Sequence, residues 1–342
     1  MMKSGAEGRA PHCLITTNCW RPYRGRGPGC SGLKVPDAPT RSQGHSRFLD
    51  PRALARIGNV ELLSRVVVEG FLSGLHRSPY LGRSIDFAEH RAYMPGDDIR
   101  RIDWRLFGRT DRFYLKEFEA DSNTDVVQLL DVSRSMRFTS HSLTKLDYGR
   151  YLAACLAYLS RKQRDRVGLV TFDEDVIEFV PPSAKHLPIL LHTLDRVDTS
   201  APARRGELAR PLRKAGEACH RRGILVLISD LYEDPRAVLE AVGNLSQRGS
   251  DLIVFHLLDP AELTFPFDRP ASYEDLESGE KIPVVPEQAR ARYQELLGEH
   301  IRTLSRILGE NRVDYALFDT SKPLDHALFS YLSRRERLVR LR

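Results

Sequence analysis

The sequence has no apolar run long enough to cross a membrane. Its longest, Tyr151–Leu159, is nine residues, against the ~20 that a spanning helix requires. Cysteine is scarce, with five in 342 residues at positions 13, 19, 30, 155 and 219, and no Cys-x-x-Cys pair occurs. An odd count without paired spacing argues against a disulfide framework and fits unpaired thiols in a reducing compartment. Several catalytic signatures are also missing. The chain holds no Gly-x-x-x-x-Gly-Lys-Ser/Thr loop, no His-Glu-x-x-His and no Gly-x-Ser-x-Gly, so it offers no recognisable ATPase, zinc-protease or serine-hydrolase site. No basic start is followed by a long apolar stretch, so no secretory leader is expected. Together these absences lead to the expectation of a cytoplasmic, non-membrane chain.

What is present is ordinary for a globular protein: 41% hydrophobic and 29% charged residues, with length for about two domains. The net charge of +6 is unevenly spread. Residues 1–47 hold eight basic and two acidic side chains, which leaves 44 basic and 44 acidic in the other 295 residues. The neutral body gives no general reason to bind nucleic acid. The first 47 residues, with their Gly25-Arg26-Gly27-Pro28-Gly29 cluster, read as a disordered basic tail. Residues 48–120 read as a helix-and-strand segment and residues 121–342 as the main domain.

Apolar spacing predicts a helix over 50–76, a strand around Ile85–Tyr93, a short helix from Asp97 or Asp98 through Leu106, and a strand over Arg112–Glu119. From residue 125, short apolar runs alternate with amphipathic stretches. Strands are expected at 125–130, 166–172, 176–180, 223–229, 252–257 and 313–318, and an irregular hairpin at 262–284. Helices are expected at 146–163, 185–197, 208–221, 235–248, 286–309 and 324–334. This alternation predicts an α/β fold: a mostly parallel sheet covered by helices on both faces, with ligands outside the carboxyl ends of its strands.

Two of those ends carry oxygen-bearing side chains. One reads Leu130-Asp131-Val132-Ser133-Arg134-Ser135 and the other Ile228-Ser229-Asp230. The residues could simply cap the segments that follow. As a set of hydroxyls and carboxylates they also match the hard-oxygen preference of Mg²⁺ or Mn²⁺, and the metal reading is preferred here. Asp173-Glu174-Asp175 reads as a solvated acidic tip, and the carboxylates between Pro95 and Trp104 as partners of nearby arginines.

Asp131-Val132-Ser133-Arg134-Ser135 resembles the metal-ion-dependent adhesion motif, DxSxS, of von Willebrand factor A-type domains, and Ile228-Ser229-Asp230 resembles that site's distal Asp loop. The stretch Arg91-Ala92-Tyr93-Met94-Pro95-Gly96-Asp97-Asp98-Ile99-Arg100-Arg101-Ile102-Asp103-Trp104, with Glu117-Phe118-Glu119, is more specific. It is similar to the signature of a bacterial family numbered 58 among domains of unknown function. The resemblance covers about residues 50–335.

It implies a von Willebrand factor A-like (Rossmann-like) fold and a non-enzymatic binding or assembly role. The implied partner is a MoxR-type AAA+ ATPase, its client, or both. It further implies a divalent-metal site in which Ser133 and Ser135 contact the ion while Asp131 and Asp230 act through water. The sequence departs from the pattern at Gly206, where such sites carry Thr, and this implies weak metal binding or none. Glu207 beside it is expected to cap the following helix.

Two alternatives belong to other classes. A haloacid-dehalogenase-like phosphotransferase also uses an Asp at a strand end with Mg²⁺. It needs a second Asp two residues on, where this chain has Ser133. A nucleic-acid-associated protein would use the basic tail and lose affinity steeply with salt.

Overall fold

The computed structural model describes residues 20–22, 59–75, 90–94, 104–116, 124–197, 206–219, 221–246, 249–275 and 281–340. Its first elements are β1 (Trp20–Pro22), α1 (Val60–Leu75), β2 (His90–Ala92), α2 (Trp104–Thr110) and β3 (Tyr114–Lys116). Then follow β4 (Asp125–Asp131), α3 (Lys145–Lys162), β5 (Arg166–Phe172), β6 (Val176–Ser183), α4 (Leu187–Arg196), α5 (Ala209–Ala218) and β7 (Gly223–Ser229). The chain continues through α6 (Pro235–Ser246), β8 (Asp251–Leu258), α7 (Pro260–Thr264), β9 (Ala271–Asp275) and β10 (Lys281–Val284). It ends with α8 (Pro286–Glu310), β11 (Asp314–Asp319) and α9 (Asp325–Arg340).

Six strands form the central sheet in the order β11-β8-β7-β4-β5-β6. All neighbouring pairs are parallel except β5 with β6, which is antiparallel. The expected mostly parallel α/β sheet is therefore what the chain forms. Every residue of β4 and of β7 is buried, as strands covered on both faces must be. The two-residue period divides them between two cores. Val126 and Leu130 of β4 join α1, α3 and α9 on one face. Val127 and Leu129 join α5, α6 and α8 on the other. Close approach of α3 to the sheet depends on Gly149, where a Cβ would lie 3.0 Å from Leu130 Cδ1.

Chain direction across the sheet fixes where a site can form. From β4 the chain moves outward through β5 and β6, then returns to β7 on the other side of β4. The loop after β4 leads to α3 on one face, and the loop after β7 leads to α6 on the opposite face. Adjacent loops that part in this way open a crevice at the carboxyl edge, the switch point of an open α/β sheet.

The small elements differ more from expectation. Of residues 1–47, expected to lack structure, the three described, Trp20–Pro22, pair antiparallel with β9. The hairpin expected over 262–284 is present as β9 and β10, but a five-residue helix, α7, precedes it. α2 continues to Thr110, past the expected end at Leu106. Its expected start at Asp97 or Asp98 lies outside the described residues, as do Asp103 and Glu117–Glu119. His90–Ala92 and Tyr114–Lys116 pair with each other as a two-stranded ribbon. Cys155 and Cys219 are both buried.

Candidate functional site

β4 ends at Asp131 and β7 ends at Ser229, in register as neighbours. Asp131, Ser133, Ser135 and Asp230, the four residues singled out in the sequence, meet at this end and are all buried. Asp131 Oδ1 accepts from the Ser133 backbone N–H at 2.9 Å, which curls the loop. Its Oδ2 accepts from the Ser229 hydroxyl at 2.6 Å, which ties the two strand ends together. The Ser133 and Ser135 hydroxyl oxygens are 3.0 Å apart.

The capping alternative describes one bond of Asp131, the local one from Ser133 N–H, but not Asp230. At the start of α6 the carboxylate in use is that of Asp234, which accepts from Arg236 N–H at 2.8 Å. Asp230 Oδ2 instead accepts from Lys145 Nζ at 2.8 Å.

The loop after β7 is held under strain. Leu231, next to Asp230, adopts a left-handed φ of +48°, which is costly for a branched side chain. The Ser229 oxygen accepts from Leu231 N–H at 3.2 Å, and His300 Nε2 donates to the Leu231 carbonyl at 2.9 Å. Those bonds offset the strain and aim Asp230.

A buried polar network extends from the edge. Lys145 Nζ also donates to Glu262 Oε1 at 2.8 Å. Glu262 Oε2 accepts from the Asp259 backbone N–H, and Asp259 Oδ1 from Ala261 N–H, each at 2.8 Å. This reciprocal capping box creates α7. Asp259 further accepts from the Ser140 backbone at 2.9 Å and lies 3.2 Å from His141 Nδ1. His141 Nε2 reaches the carbonyl of Thr320 after β11 at 3.2 Å. The network thus links the ends of β4, β7, β8 and β11.

Its electrostatics follow from burial. Desolvation, and then the charge of Asp230, push the Asp131 carboxyl up to about 7, against the opposing hydrogen bonds from Ser229 and Ser133. Hydrogen bonding to Asp259 raises the His141 imidazole above its ordinary value. Burial alone would raise Asp259, but the bonds from His141 and Ser140 hold it below the usual carboxylate range. Burial keeps His256 and His300 neutral-favouring, with pKa values lowered.

Three of the four expected donors suit a hard cation. Asp131, Ser133 and Ser135 form a compact oxygen set, and Asp131, raised by desolvation, would gain from a nearby positive charge. The fourth, Asp230, is already engaged by Lys145. Among the described residues no three His, Cys, Asp or Glu side chains converge as a metal cluster, so any ion here depends on the serine hydroxyls. Gly206 faces the site: a Cβ there would lie 3.1 Å from Ser133 Cβ and 3.3 Å from its Oγ. The residue standing where Thr was expected is therefore spatially in place, without the hydroxyl.

Two expectations need correction. Glu207 does not supply the bond at the start of α5; Glu233 Oε1 accepts from Leu208 N–H there at 2.6 Å. Asp173–Asp175 is not a solvated tip. Asp173 is buried and its carbonyl accepts from Glu207 N–H, while Asp175 pairs with Lys214 at 2.6 Å and Arg210 at 2.8 Å. Lys145, Glu262 and Asp259 were not anticipated in the sequence.

The family model described as "Protein of unknown function DUF58" matches residues 89–303. An uncharacterized protein of Mycobacterium bovis is 27% identical over 232 residues, covering 67% of this chain and 73% of its own length. An uncharacterized Mycobacterium tuberculosis protein matches with the same identity and coverage. Among solved structures, BatB from Bacteroides thetaiotaomicron aligns with a TM-score of 0.45 at 17% identity, covering 63% of this chain and 99% of that one. An aerotolerance-related membrane protein from Bacteroides fragilis gives 0.44 at 16%, covering 62% and 99%. The SpRpn10 VWA domain gives 0.35 at 10%, covering 60% and 93%.

The expectation of a cytoplasmic chain is corrected here. Proteins of similar fold include one described as a membrane protein, and neither cysteine usage nor the lack of a long apolar run assigns a compartment. No helix among the described residues is long and apolar enough to cross a membrane. With its family match spanning well over half its length and its mostly parallel sheet, the chain belongs to the DUF58 family and has a von Willebrand factor A-like α/β fold.

Proposed function

We propose that this chain is a non-enzymatic protein-binding and assembly factor whose docking site is the carboxyl edge at β4 and β7. One observation carries the reading: Asp131, Ser133, Ser135 and Asp230 lie buried together at the switch point of the sheet, the first three linked by hydrogen bonds and their loop tied to the Asp230 loop through Ser229. The chain's own residues orient the edge. Ser229 locks Asp131, His300 holds the Leu231 turn, and Lys145 fixes Asp230. Mg²⁺ or Mn²⁺ held by Ser133, Ser135 and Asp131 would supply a positive centre for a partner's carboxylate. The partner proposed is a MoxR-type AAA+ ATPase, its client, or both, on the strength of the family resemblance alone.

The test is capture from native lysate by wild type and by the Ser133→Ala/Ser135→Ala double variant, each with Mg²⁺ or with chelator. Recovery of an AAA+ ATPase or its client by wild type with Mg²⁺, and its loss in the variant, is the expected result. Equal recovery by both proteins in both conditions would contradict the reading.

A further inference from the structure

Lys145 is a buried cation at this edge, and its placement breaks two local rules. It is the first residue of α3, following the cap Thr144, where the helix dipole disfavours positive charge. Its side chain is also 0% exposed, and an ammonium removed from water requires close compensation.

The structure builds that compensation from separate segments. Asp230 Oδ2, after β7, and Glu262 Oε1, in α7, each lie 2.8 Å from Nζ. The Tyr232 ring centroid is 4.7 Å away and that of Phe138 is 6.0 Å away, within reach of a cation–π attraction. Glu262 is itself fixed by its bond from Asp259 N–H. The result is a box of carboxylates and aromatic rings closed around an ammonium.

We infer that Lys145 is a tethered counter-cation for Asp230: it removes that carboxylate from the divalent-ion site and leaves Asp131, Ser133 and Ser135 as a three-donor site of low affinity. This rests on the reading that the Asp131 loop accepts a divalent ion. The consequence is distinct from it. The edge stays assembled without metal, because the charge that orders Asp230 is covalently part of α3. Metal affinity is then set by a residue that does not touch the metal.

The experiment measures Mn²⁺ binding by electron paramagnetic resonance, and melting in Mn²⁺ or chelator, for four proteins. These are wild type, Lys145→Met, Lys145→Met/Glu262→Gln, and the last with Asp131→Asn added. The third, Lys145→Met/Glu262→Gln, removes one charge of each sign and keeps the test valid if Lys145→Met alone does not fold. With Asp230 released, both Lys145 variants should bind Mn²⁺ at least about tenfold more tightly than wild type, the lower end of what outer partners contribute to metal affinity. Their melting temperatures should rise with Mn²⁺ while that of wild type stays nearly constant, and Asp131→Asn should abolish the gain. Wild type binding Mn²⁺ as tightly as the Lys145 variants would overturn the inference and leave the metal reading intact. Absence of Mn²⁺ binding in every folded protein would overturn the metal reading and the inference together.

Discussion

Gly206 is packed against Ser133 so closely that a Cβ on the glycine would sit 3.1 Å from Ser133 Cβ. Ser133 cannot easily withdraw, because its N–H is bonded to Asp131 and its hydroxyl lies 3.0 Å from that of Ser135. Gly206→Ala should therefore destabilise the protein by about 1–2 kcal/mol through overpacking. Chemical denaturation checks this; an unchanged midpoint would mean that the loop yields freely.

Ser229 has two tasks at once: its hydroxyl donates to Asp131 and its oxygen accepts from Leu231 N–H. Ser229→Ala strips a buried carboxylate of one donor and loosens a left-handed turn. The cost should be about 1–3 kcal/mol, and Ser229→Thr, which retains the hydroxyl, should lose less. Urea melts of the two variants make the comparison.

The His141–Asp259 contact gives a pH dependence with a definite sign. His141 has its pKa raised in the folded state, so its stabilisation is fully present below ~6.5 and is lost as pH rises through the folded value. Asp259 has its pKa lowered, so its share is present above ~3.8 and is lost as pH falls through its folded value. His141→Gln should thus cost about 1–2 kcal/mol near pH 5.5 and markedly less near pH 8.5. A gap between the two proteins that does not change with pH would show that no charge is involved.

The phosphotransferase alternative lacks its second carboxylate: the position two residues after Asp131 is Ser133. Wild type with Mg²⁺ should show no turnover of a generic phosphate ester above a Asp131→Asn control. Turnover lost in that control would restore the enzyme reading.

The sheet was legible because β7 is an apolar run and β4 is one interrupted only by Gln128 between Val126 and Leu130, and a strand of that kind is buried on both faces. The four edge residues were legible because each follows such a run. Lys145 was not. In sequence it is one more lysine beside an amphipathic helix, and its burial depends on carboxylates 85 and 117 residues away. Two local signals pointed toward the network: a basic residue opening a helix, and Asp259-Pro260-Ala261-Glu262, the spacing of a capping box. The hairpin expected from residue 262 onward obscured the second. Asp173–Asp175 appeared solvated because its cations, Arg210 and Lys214, come from α5.

The most direct measurement is the affinity of the purified chain for a purified MoxR-type AAA+ ATPase, by calorimetry, for wild type and Ser133→Ala/Ser135→Ala. The account predicts that the variant, still folded, binds at least about tenfold more weakly, a difference of ~1.4 kcal/mol, and that chelator weakens wild type toward the variant. Equal affinities, with or without Mg²⁺, would contradict the claim that the carboxyl edge is where this protein meets its partner.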